Sequence, residues 1–361
     1  MIQCPLYTEG SEGRFIDMKQ IKSDTINLVF NKNTPLQESK DIYFTTVYAK
    51  LFEGKEDGEV KVFDFVSPYG KVKNIFIKRK IPHKIKGQTY YDITTAYGYG
   101  GPVILETTNV TQLLKEYFEA FHQYCIQEQI VSEFVRFHIF ENQELREQFN
   151  GEVQLIGPHI VRDLKKDKKE DIHKSILQSV RRAKRLSVEV VFDHTGENLD
   201  EFLEVYTTTM DWHVAKDFYY FDKSFFETIH EEMDGHYLYV HARLEGKIIG
   251  TRLILFGDKY AYYFLGGALR EYSTYKAASY LDYEIINYLQ QIGKEYYVFG
   301  GGYRGEDSLY QYKTKFAQQG QMPFYIGKKT HLPEIYNQLT DIRSQQENYE
   351  PDSLFYPLYR S

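Results

Sequence analysis

The sequence predicts a mixed α/β protein made of two tandem copies of one unit. Three observations carry this prediction. Two long amphipathic helical patterns begin near residues 111 and 274, and each follows aromatic strands and a glycine turn. A short strand pattern follows each helix, near residues 134 and 296. The offsets of 163 and 162 residues match closely, which indicates a degenerate duplication within the 361-residue chain.

In the first unit, runs rich in β-branched and aromatic residues alternate with turn residues, a pattern typical of strands. The predicted strands cover residues 42–52, 60–66, 72–81 and 90–95. The loop 96–102 follows, and a helix is predicted over residues 111–129 because its apolar residues recur at helical spacing. A strand over residues 134–139 completes the unit.

The second unit repeats this order after a charged segment, residues 160–172, which we interpret as the join. A helix over residues 171–186 opens it. Three strands and a turn are predicted next, over residues 236–243, 248–256, 260–265 and 266–268. A helix over residues 274–291 precedes a buried strand, residues 295–299, which runs directly into three glycines.

Composition argues against several classes of protein. The formal net charge of −7 does not fit general coating of nucleic acid, and no DNA partner is expected. Cys4 and Cys125 provide no disulfide framework, and the histidines show no metal-ligand spacing, so neither a disulfide nor a metal is predicted. The sequence shows no secretory leader and no apolar run of about 20 residues. We therefore expect a cytoplasmic protein, with peripheral membrane contact left open.

One local segment is strongly basic despite the acidic total. Its residues are Lys165, Lys166, Lys168, Lys169, Lys174, Arg181, Arg182, Lys184 and Arg185. Their excess over nearby acidic residues favours an anionic partner, and a solvated helix face is the alternative.

The segment Gly300–Phe316 is the most informative part of the sequence. Gly300, Gly301 and Gly302 leave the backbone open after a buried strand. Lys313 follows, between aromatic residues at helical spacing. Open backbone beside a positioned cation suits an acyl carbonyl or a phosphate. The alternative is a flexible turn beside a solvated lysine.

This segment contains the groups that acyl transfer to an amine requires. The tetrahedral intermediate needs hydrogen-bond donors, which the glycine N–H groups and Lys313 could supply. A proton must also leave, and the candidate acceptors are Asp307, Glu306 and the phenol of Tyr303. Asp307 could equally cap the helix that carries Lys313, and the substrate or water could act as the base.

The order of an antiparallel meander, a helix and a strand parallel to its predecessor is that of the GNAT N-acyltransferase fold. In that fold two neighbouring parallel strands diverge, and the acyl carbonyl lies between them. Here the pair would be residues 260–267 and 295–300. We therefore predict two tandem GNAT-like units and a tail. The predicted domains are a supporting, acceptor-side unit over 1–160, a catalytic unit over 161–345, and a C-terminal tail over 346–361.

Three motifs resemble the FemAB family, the tandem-GNAT aminoacyltransferases that build peptidoglycan interpeptide bridges. They are Tyr97-Gly-Tyr-Gly-Gly-Pro102, Ser179 to Val188, and Gly300 to Phe316. The resemblance covers residues 40 to 330 approximately. It implies transfer of an amino acid from aminoacyl-tRNA to an amine of a UDP- or lipid-linked peptidoglycan precursor, with no tightly bound cofactor. A related branch uses acyl-CoA donors and acts on sugar or lipid amines.

The resemblance also implies roles for individual residues. By matching position, Lys313 would stabilise the charge that develops on the acyl donor. Tyr312 stands where the family has Phe and would keep a catalytic aromatic wall beside Lys313, and Phe316 completes the motif as a substrate-binding residue. Arg181 and Arg182 would meet the diphosphate of the precursor or the phosphates of tRNA.

The first unit contributes the loop that contains Tyr99 and Gly101, which either lines an acceptor cleft or forms an ordinary turn. Residues 270–277 indicate which acyl donor the protein uses. CoA-dependent GNAT enzymes usually carry glycines at these positions, and this chain has none. The bulky Tyr272 and Tyr275 favour aminoacyl-tRNA over acetyl-CoA. The alternative from another class of function is a non-catalytic protein that binds tRNA or an envelope precursor through the basic helix.

Overall fold

The computed structural model describes residues 27–29, 41–167, 171–303, 305–347, 349 and 355–361, so Cys4, Lys168 and Lys169 lie outside the described residues. The strands are β1 (Asn27–Val29), β2 (Gly58–Ser67), β3 (Gly70–Lys80), β4 (Tyr91–Thr94), β5 (Val103–Thr107), β6 (Ile130–Arg136), β7 (Glu152–Asp163), β8 (Glu189–Asp193), β9 (Tyr237–Leu244), β10 (Lys247–Phe256), β11 (Tyr260–Ala268), β12 (Tyr296–Gly300) and β13 (Gln321–Thr330). The helices are α1 (Thr46–Lys50), α2 (Glu53–Glu56), α3 (Val110–Gln127), α4 (Gln143–Glu147), α5 (Lys174–Arg185), α6 (Leu199–Trp212), α7 (Lys223–Glu232), α8 (Ala277–Gln291), α9 (Ser308–Thr314) and α10 (Pro333–Ser344).

Each half of the chain contains one parallel pair of strands connected by a long helix. Strands β4 and β6 are parallel and joined through α3, while β11 and β12 are parallel and joined through α8. The two helices were predicted from apolar periodicity, and the structure confirms both. The predicted mixed α/β fold of two tandem units is therefore confirmed.

The strands form one continuous mixed sheet. Its order is β1-β2-β3-β4-β6-β13-β7-β12-β11-β10-β9-β8, with β5 paired to β3. Strand β13 follows the second unit in sequence but pairs with β6 of the first, and β7 runs through the predicted join at residue 160. These two strands tie the halves together in the middle of the sheet, while the domain boundaries themselves stay a prediction.

An aromatic cluster packs both halves into one core. It contains Tyr43, Tyr48 and Tyr99 from the first half and Tyr239 and Tyr262 from the second. Helix α3 covers a separate cluster in the first half, and α8 covers another in the second. The chain has 33 tyrosines, and burial in this core accounts for part of that number.

The predicted strand over residues 42–52 is wrong, because this segment is helical. It contains a 3-10 turn, Ile42–Phe44, followed by α1. The Asp41 carboxylate accepts a hydrogen bond from the N–H of Tyr43 at 3.1 Å, and the Thr45 hydroxyl accepts one from the N–H of Tyr48 at 3.2 Å. These caps satisfy N–H groups that a helix start leaves open, and they outweigh the β propensity of the aromatic and β-branched residues.

The structure also differs from the prediction in the position of one strand and in strands that were not predicted. Strand β6 begins at Ile130 and ends at Arg136, so the predicted strand over residues 134–139 is placed too late. The sequence patterns did not predict β1, β5, β7, β8 or β13. Within the described part of the chain, no helix is both long and apolar enough to cross a membrane.

Candidate active site

The parallel strands β11 and β12 part at the point where β12 ends. They pair from Tyr260↔Tyr296 to Tyr262↔Val298. Beyond this point, Gly300 still pairs with Ile160 of β7 but has no partner on β11. The end of β12 and its three glycines therefore lie where the sheet opens, as the GNAT-type arrangement requires.

A side chain is disfavoured at each of the three glycines, for a different steric reason at each position. Gly300 adopts φ = +76°, a conformation that side chains disfavour. A β-carbon on Gly301 would lie 2.9 Å from the imidazole of His159. A β-carbon on Gly302 would lie 2.3 Å from the carbonyl oxygen of Gly305 and 2.4 Å from a carboxylate oxygen of Asp307. The lack of side chains at these three positions therefore lets neighbouring residues approach the backbone closely. It also leaves the end of the strand open.

Gly302→Ala should lower the free energy of unfolding by about 1–3 kcal/mol, because the added methyl group forces backbone atoms apart. Urea denaturation measures this change. Gly54→Ala is the matched control, since a β-carbon there meets nothing within 4 Å and should cause no loss. Equal stability of the Gly302→Ala protein and wild type would contradict the tight packing described for Gly302.

Lys313 lies on α9 and reaches back to the glycines. Its side chain is only 6% exposed, and its Nζ donates a hydrogen bond to the carbonyl oxygen of Gly301 at 2.6 Å. A β-carbon at Gly300 would lie 3.7 Å from that Nζ. An ammonium has three donors, so a cation held in this way has further donors for a ligand oxygen at the open strand end.

Burial changes the acid–base behaviour of Lys313. Removal of the ammonium from water lowers its pKa to about 8, while the carboxylates of Asp282 and Asp307 act in the opposite direction. The guanidinium of Arg252 lowers it further. Lys313 is therefore mainly cationic at pH 7, yet close to its titration range.

The first half of the chain contributes a tyrosine to the same place. The hydroxyl of Tyr99 would lie 4.0 Å from a β-carbon at Gly300, and it forms a 2.6 Å hydrogen bond with Nδ1 of His159. His159 lies on β7, next to Gly301, and stacks on Phe324 with ring centroids 4.3 Å apart. The structure thus brings Tyr99 together with the glycines and Lys313, as the predicted cleft between units requires.

His159 is the residue that the sequence reasoning missed. Burial and the nearby charge of Lys313 lower its pKa to about 3, so the imidazole is neutral at pH 7. A neutral imidazole donates from one nitrogen and accepts at the other, and in the hydrogen bond with Tyr99 either Nδ1 or the hydroxyl can be the donor. Only the pairing of β7 with β12 places His159 here. No local motif in the sequence could have indicated it.

A cluster of buried polar residues connects the helix that carries Lys313 to α8. Arg252, 3% exposed, donates to both carboxylate oxygens of the fully buried Asp282, at 2.9 and 3.1 Å. Tyr312 donates its hydroxyl hydrogen to Asp282 at 2.6 Å. Tyr312 was predicted as a catalytic aromatic wall. In the structure its hydroxyl fastens α9 to α8 beside Lys313, and the catalytic role stays a prediction.

Asp307 has the cap geometry that the sequence left as an alternative to the base. One carboxylate oxygen accepts from the N–H of Tyr310 at 3.0 Å, and the other accepts from the N–H of Tyr303 at 2.8 Å. The carboxylate thus orders the turn and starts α9, as the cap alternative expects, while a catalytic role for Asp307 stays a prediction. Tyr303 itself is 51% exposed at the rim of the site.

Two residues predicted to bind substrate have packing roles. Phe316 is fully buried and stacks on Phe299 with ring centroids 5.3 Å apart, so a substrate cannot contact it in this structure. Gly101 has φ = +86°, and a β-carbon there would lie 2.7 Å from Val135. The neighbouring loop backbone is held by Asn142, which donates to the carbonyl oxygen of Gly100 at 2.7 Å.

Arg181 and Arg182 lie on the exposed side of α5, whose opposite side packs into the core of the second half. Arg182 donates from Nε to the carbonyl oxygen of Thr274 at 2.9 Å. Thr274 lies in the turn before α8, where CoA-dependent GNAT enzymes carry glycines. In that turn Lys276 adopts φ = +61°. Arg182 therefore borders the turn before α8, and Arg181 precedes it on the exposed side of α5.

Comparison with known proteins agrees with this geometry. Residues 171–314 match a family model described as an acetyltransferase (GNAT) domain. The chain is 28% identical over 175 residues to the UDP-N-acetylmuramoylpentapeptide-lysine N(6)-alanyltransferase of Weissella viridescens. That match covers 47% of this chain and 51% of the relative, so the chain spans about half the length of the curated relative it matches.

Solved structures resemble the chain over most of its length. A structure of FemX gives a TM-score of 0.64 at 13% identity and covers 84% of this chain and 96% of that one. The C-terminal domain of a putative lysylphosphatidylglycerol synthetase from Agrobacterium fabrum gives 0.52 at 14% identity, covering 80% and 90%. These likenesses confirm the tandem GNAT fold, and with the Weissella match they confirm the resemblance to the FemAB family.

Proposed function

We propose that this chain, which has the tandem GNAT fold of FemAB-like proteins, transfers an aminoacyl group from aminoacyl-tRNA to an amine of a peptidoglycan precursor. The observation that carries the proposal is the placement of Lys313. Its buried ammonium lies at the open end of β12, beside three glycines and Tyr99 of the other half. The alanyltransferase name of the Weissella relative supports the same class of reaction.

In the proposed reaction, the neutral acceptor amine attacks the ester carbonyl of the donor. A C–N bond forms, the ester C–O bond breaks, and the amine proton passes, directly or through water, to the departing ribose oxygen, which leaves as a hydroxyl. Lys313 stabilises the oxyanion of the tetrahedral intermediate, because a preorganised cation in a buried site acts strongly on developing charge. The base is left to the substrate or water, since the carboxylate of Asp307 is engaged by backbone N–H groups.

His159 and Tyr99 act as positioning residues in this proposal. The imidazole is a very weak base with its pKa near 3, so it holds the Tyr99 hydroxyl in place and is not expected to remove a proton. Tyr99 in turn contributes a polar group from the first half of the chain beside Gly300. The acceptor amine is then expected to approach from the side of the first unit.

The turn before α8 favours aminoacyl-tRNA as the donor. It contains Tyr272 and Tyr275 in place of glycines, so its backbone is less accessible to a pyrophosphate. Arg181 and Arg182 offer exposed positive charge beside the same turn, which suits tRNA phosphates. An acyl-CoA-dependent transferase is the alternative that a donor experiment must exclude.

Activity should fall as the pH rises through about 8, because the pKa of Lys313 is lowered to about 8 and its ammonium is lost above that pH. Deprotonation of the acceptor amine raises the rate with pH, so kcat/KM should pass through a maximum. In Lys313→Arg the guanidinium stays charged, and the decline near pH 8 should disappear. A decline at the same pH in both proteins would assign it to another group.

Calorimetric titration with a stable aminoacyl-adenosine mimic of the tRNA end and with CoA distinguishes the donors. The proposal expects saturable binding of the mimic and no competition from CoA. Binding of whole tRNA should weaken with salt, and the double variant Arg181→Gln/Arg182→Gln should reduce that salt dependence. Tight CoA binding that displaces the mimic would favour the acyl-CoA alternative and contradict the proposed donor.

A further inference from the structure

Trp212 forms an exposed aromatic surface together with the turn before α8. It is the only tryptophan of the chain, it lies at the end of α6, and it is 53% exposed. The guanidinium of Arg270 lies over its ring, 4.3 Å from the ring centroid, and Arg270 is itself exposed. An aromatic ring and a planar cation are thus presented together at the surface.

Two tyrosines of the same turn extend this surface. Tyr272 and Tyr275 are partly exposed, and their ring centroids lie 5.9 Å apart. The ammonium of Lys247 lies over the ring of Tyr272, 5.3 Å from its centroid. Trp212, Tyr272 and Tyr275, together with Arg270 and Lys247, are hereafter called the Trp212 surface. Its aromatic rings alternate with cations.

The turn before α8, residues 269–276, is cationic as well as aromatic. Arg270 and Lys276 are its exposed cations, and Glu271 is its one acidic residue. Arg182 adds a guanidinium, which donates to the carbonyl oxygen of Thr274 at 2.9 Å. Aromatic rings stack on bases while cations meet phosphates, and this combination is typical of surfaces that bind single-stranded nucleic acid.

A stacked base fits the two tyrosines better than a lipid bilayer does. Insertion into a bilayer requires side chains that protrude, whereas stacking requires only an accessible ring face. Tyr272 and Tyr275 are partly buried, so they offer ring faces without protruding. The charge and the rings therefore both favour RNA as the ligand of the Trp212 surface.

The Trp212 surface lies at the same edge of the sheet as the proposed acyl site. Strands β11 and β12 are parallel, so both end at that edge. Strand β11 continues from Tyr262, its last residue paired with β12, to Ala268, a length of about 20 Å in an extended strand. One stacked nucleotide rises only about 3.4 Å. A donor whose aminoacyl end lies at the strand gap therefore reaches the Trp212 surface with nucleotides that precede its last one.

We propose that the Trp212 surface binds the unpaired nucleotides that precede the terminal adenosine of the donor RNA. Their bases stack on Trp212 and Tyr272, and their phosphates meet Arg270, Lys247 and Arg182. This inference rests on the proposed function, because it takes aminoacyl-tRNA as the donor. The five residues are positioning residues, since they hold the donor and touch no reacting atom.

The fluorescence of Trp212 tests the proposal directly, because the chain has no other tryptophan. A short single-stranded RNA that ends in CCA, added to the full chain at low salt, should quench this fluorescence in a saturable way. Whole tRNA should do the same, and added salt should weaken both responses. Fluorescence that stays unchanged with both RNAs would overturn the proposal.

Variants separate stacking from other effects on binding. Trp212→Ala should bind the labelled RNA about tenfold or more weakly in fluorescence anisotropy, as expected for the loss of one base stack, and Trp212→Phe should recover most of the affinity. The matched control is Val214→Ala, because Val214 is 86% exposed in the neighbouring loop but has no ring. It should bind as wild type does. Equal affinities of Trp212→Ala and Val214→Ala would contradict the stacking role.

Further outcomes distinguish this surface from the proposed function and from a membrane contact. Quenching of Trp212 by RNA without any aminoacyl transfer would support the surface and contradict the function. Transfer by Trp212→Ala with an unchanged KM for charged tRNA would overturn the surface and leave the function standing. Binding to phosphatidylglycerol vesicles that is lost in both Trp212→Ala and Val214→Ala, without a response to RNA, would overturn the proposal in favour of a membrane contact.

Discussion

Lys313→Met should lower kcat by about 10²–10³-fold, which is the usual effect of removing one donor to a developing oxyanion. Methionine fills the volume of the buried lysine stem but offers no donor to the carbonyl of Gly301 or to a ligand. The fold should persist, since the change removes a buried charge rather than a packed side chain. Single-turnover transfer rates, measured beside Tm, separate the loss of chemistry from a loss of structure.

Lys315→Met is the matched control, because Lys315 is exposed at the end of the same helix. It should transfer at the wild-type rate. A Lys313→Met protein as active as the Lys315→Met protein would remove the central group from the mechanism. A large fall in Tm for Lys313→Met alone would assign the lysine a structural role instead.

Asp282→Ala should lower the free energy of unfolding by about 3–5 kcal/mol, because it leaves the buried guanidinium of Arg252 without its carboxylate. The hydroxyl of Tyr312 also loses its acceptor, so α9 is no longer fastened to α8. Lys313 is carried by α9, and activity should therefore fall as well. Urea denaturation with two-state analysis measures the loss of stability.

The control for this change is an ion pair at the surface. The side chains of Asp200 and Lys223 are 76% and 51% exposed, and Asp200→Ala should cost no more than about 1 kcal/mol. If Asp282→Ala cost as little as Asp200→Ala, the buried cluster would not be the support that the geometry suggests. Retained stability with lost activity would instead point to a direct role for Asp282.

The parts that the sequence predicted well depend on short-range patterns. Helices α3 and α8 were found because their apolar residues recur over four or more turns. The link between Gly300–Gly302 and Lys313 was found because α9 follows the glycines closely. Residues 42–52 were misassigned because two side-chain caps, at Asp41 and Thr45, decide a short segment against its propensity.

The parts that it did not predict depend on pairing between distant strands. Strand β13 crosses back to β6 and β7, and no local signal specifies that return. His159 reaches the site only because β7 pairs with β12, and His331 meets Glu133 only because β13 pairs with β6. Phe316 was predicted to bind substrate from its place in the closing motif, and in the structure its side chain is fully buried.

The most direct test of the account is the mass of the acceptor after reaction. Wild-type protein, charged tRNAs and a UDP-linked muramyl pentapeptide should yield a product heavier by one aminoacyl residue, located on the side-chain amine by fragmentation. Lys313→Met should yield almost none. An unmodified acceptor with charged tRNAs, together with acylation from an acyl-CoA, would contradict the account.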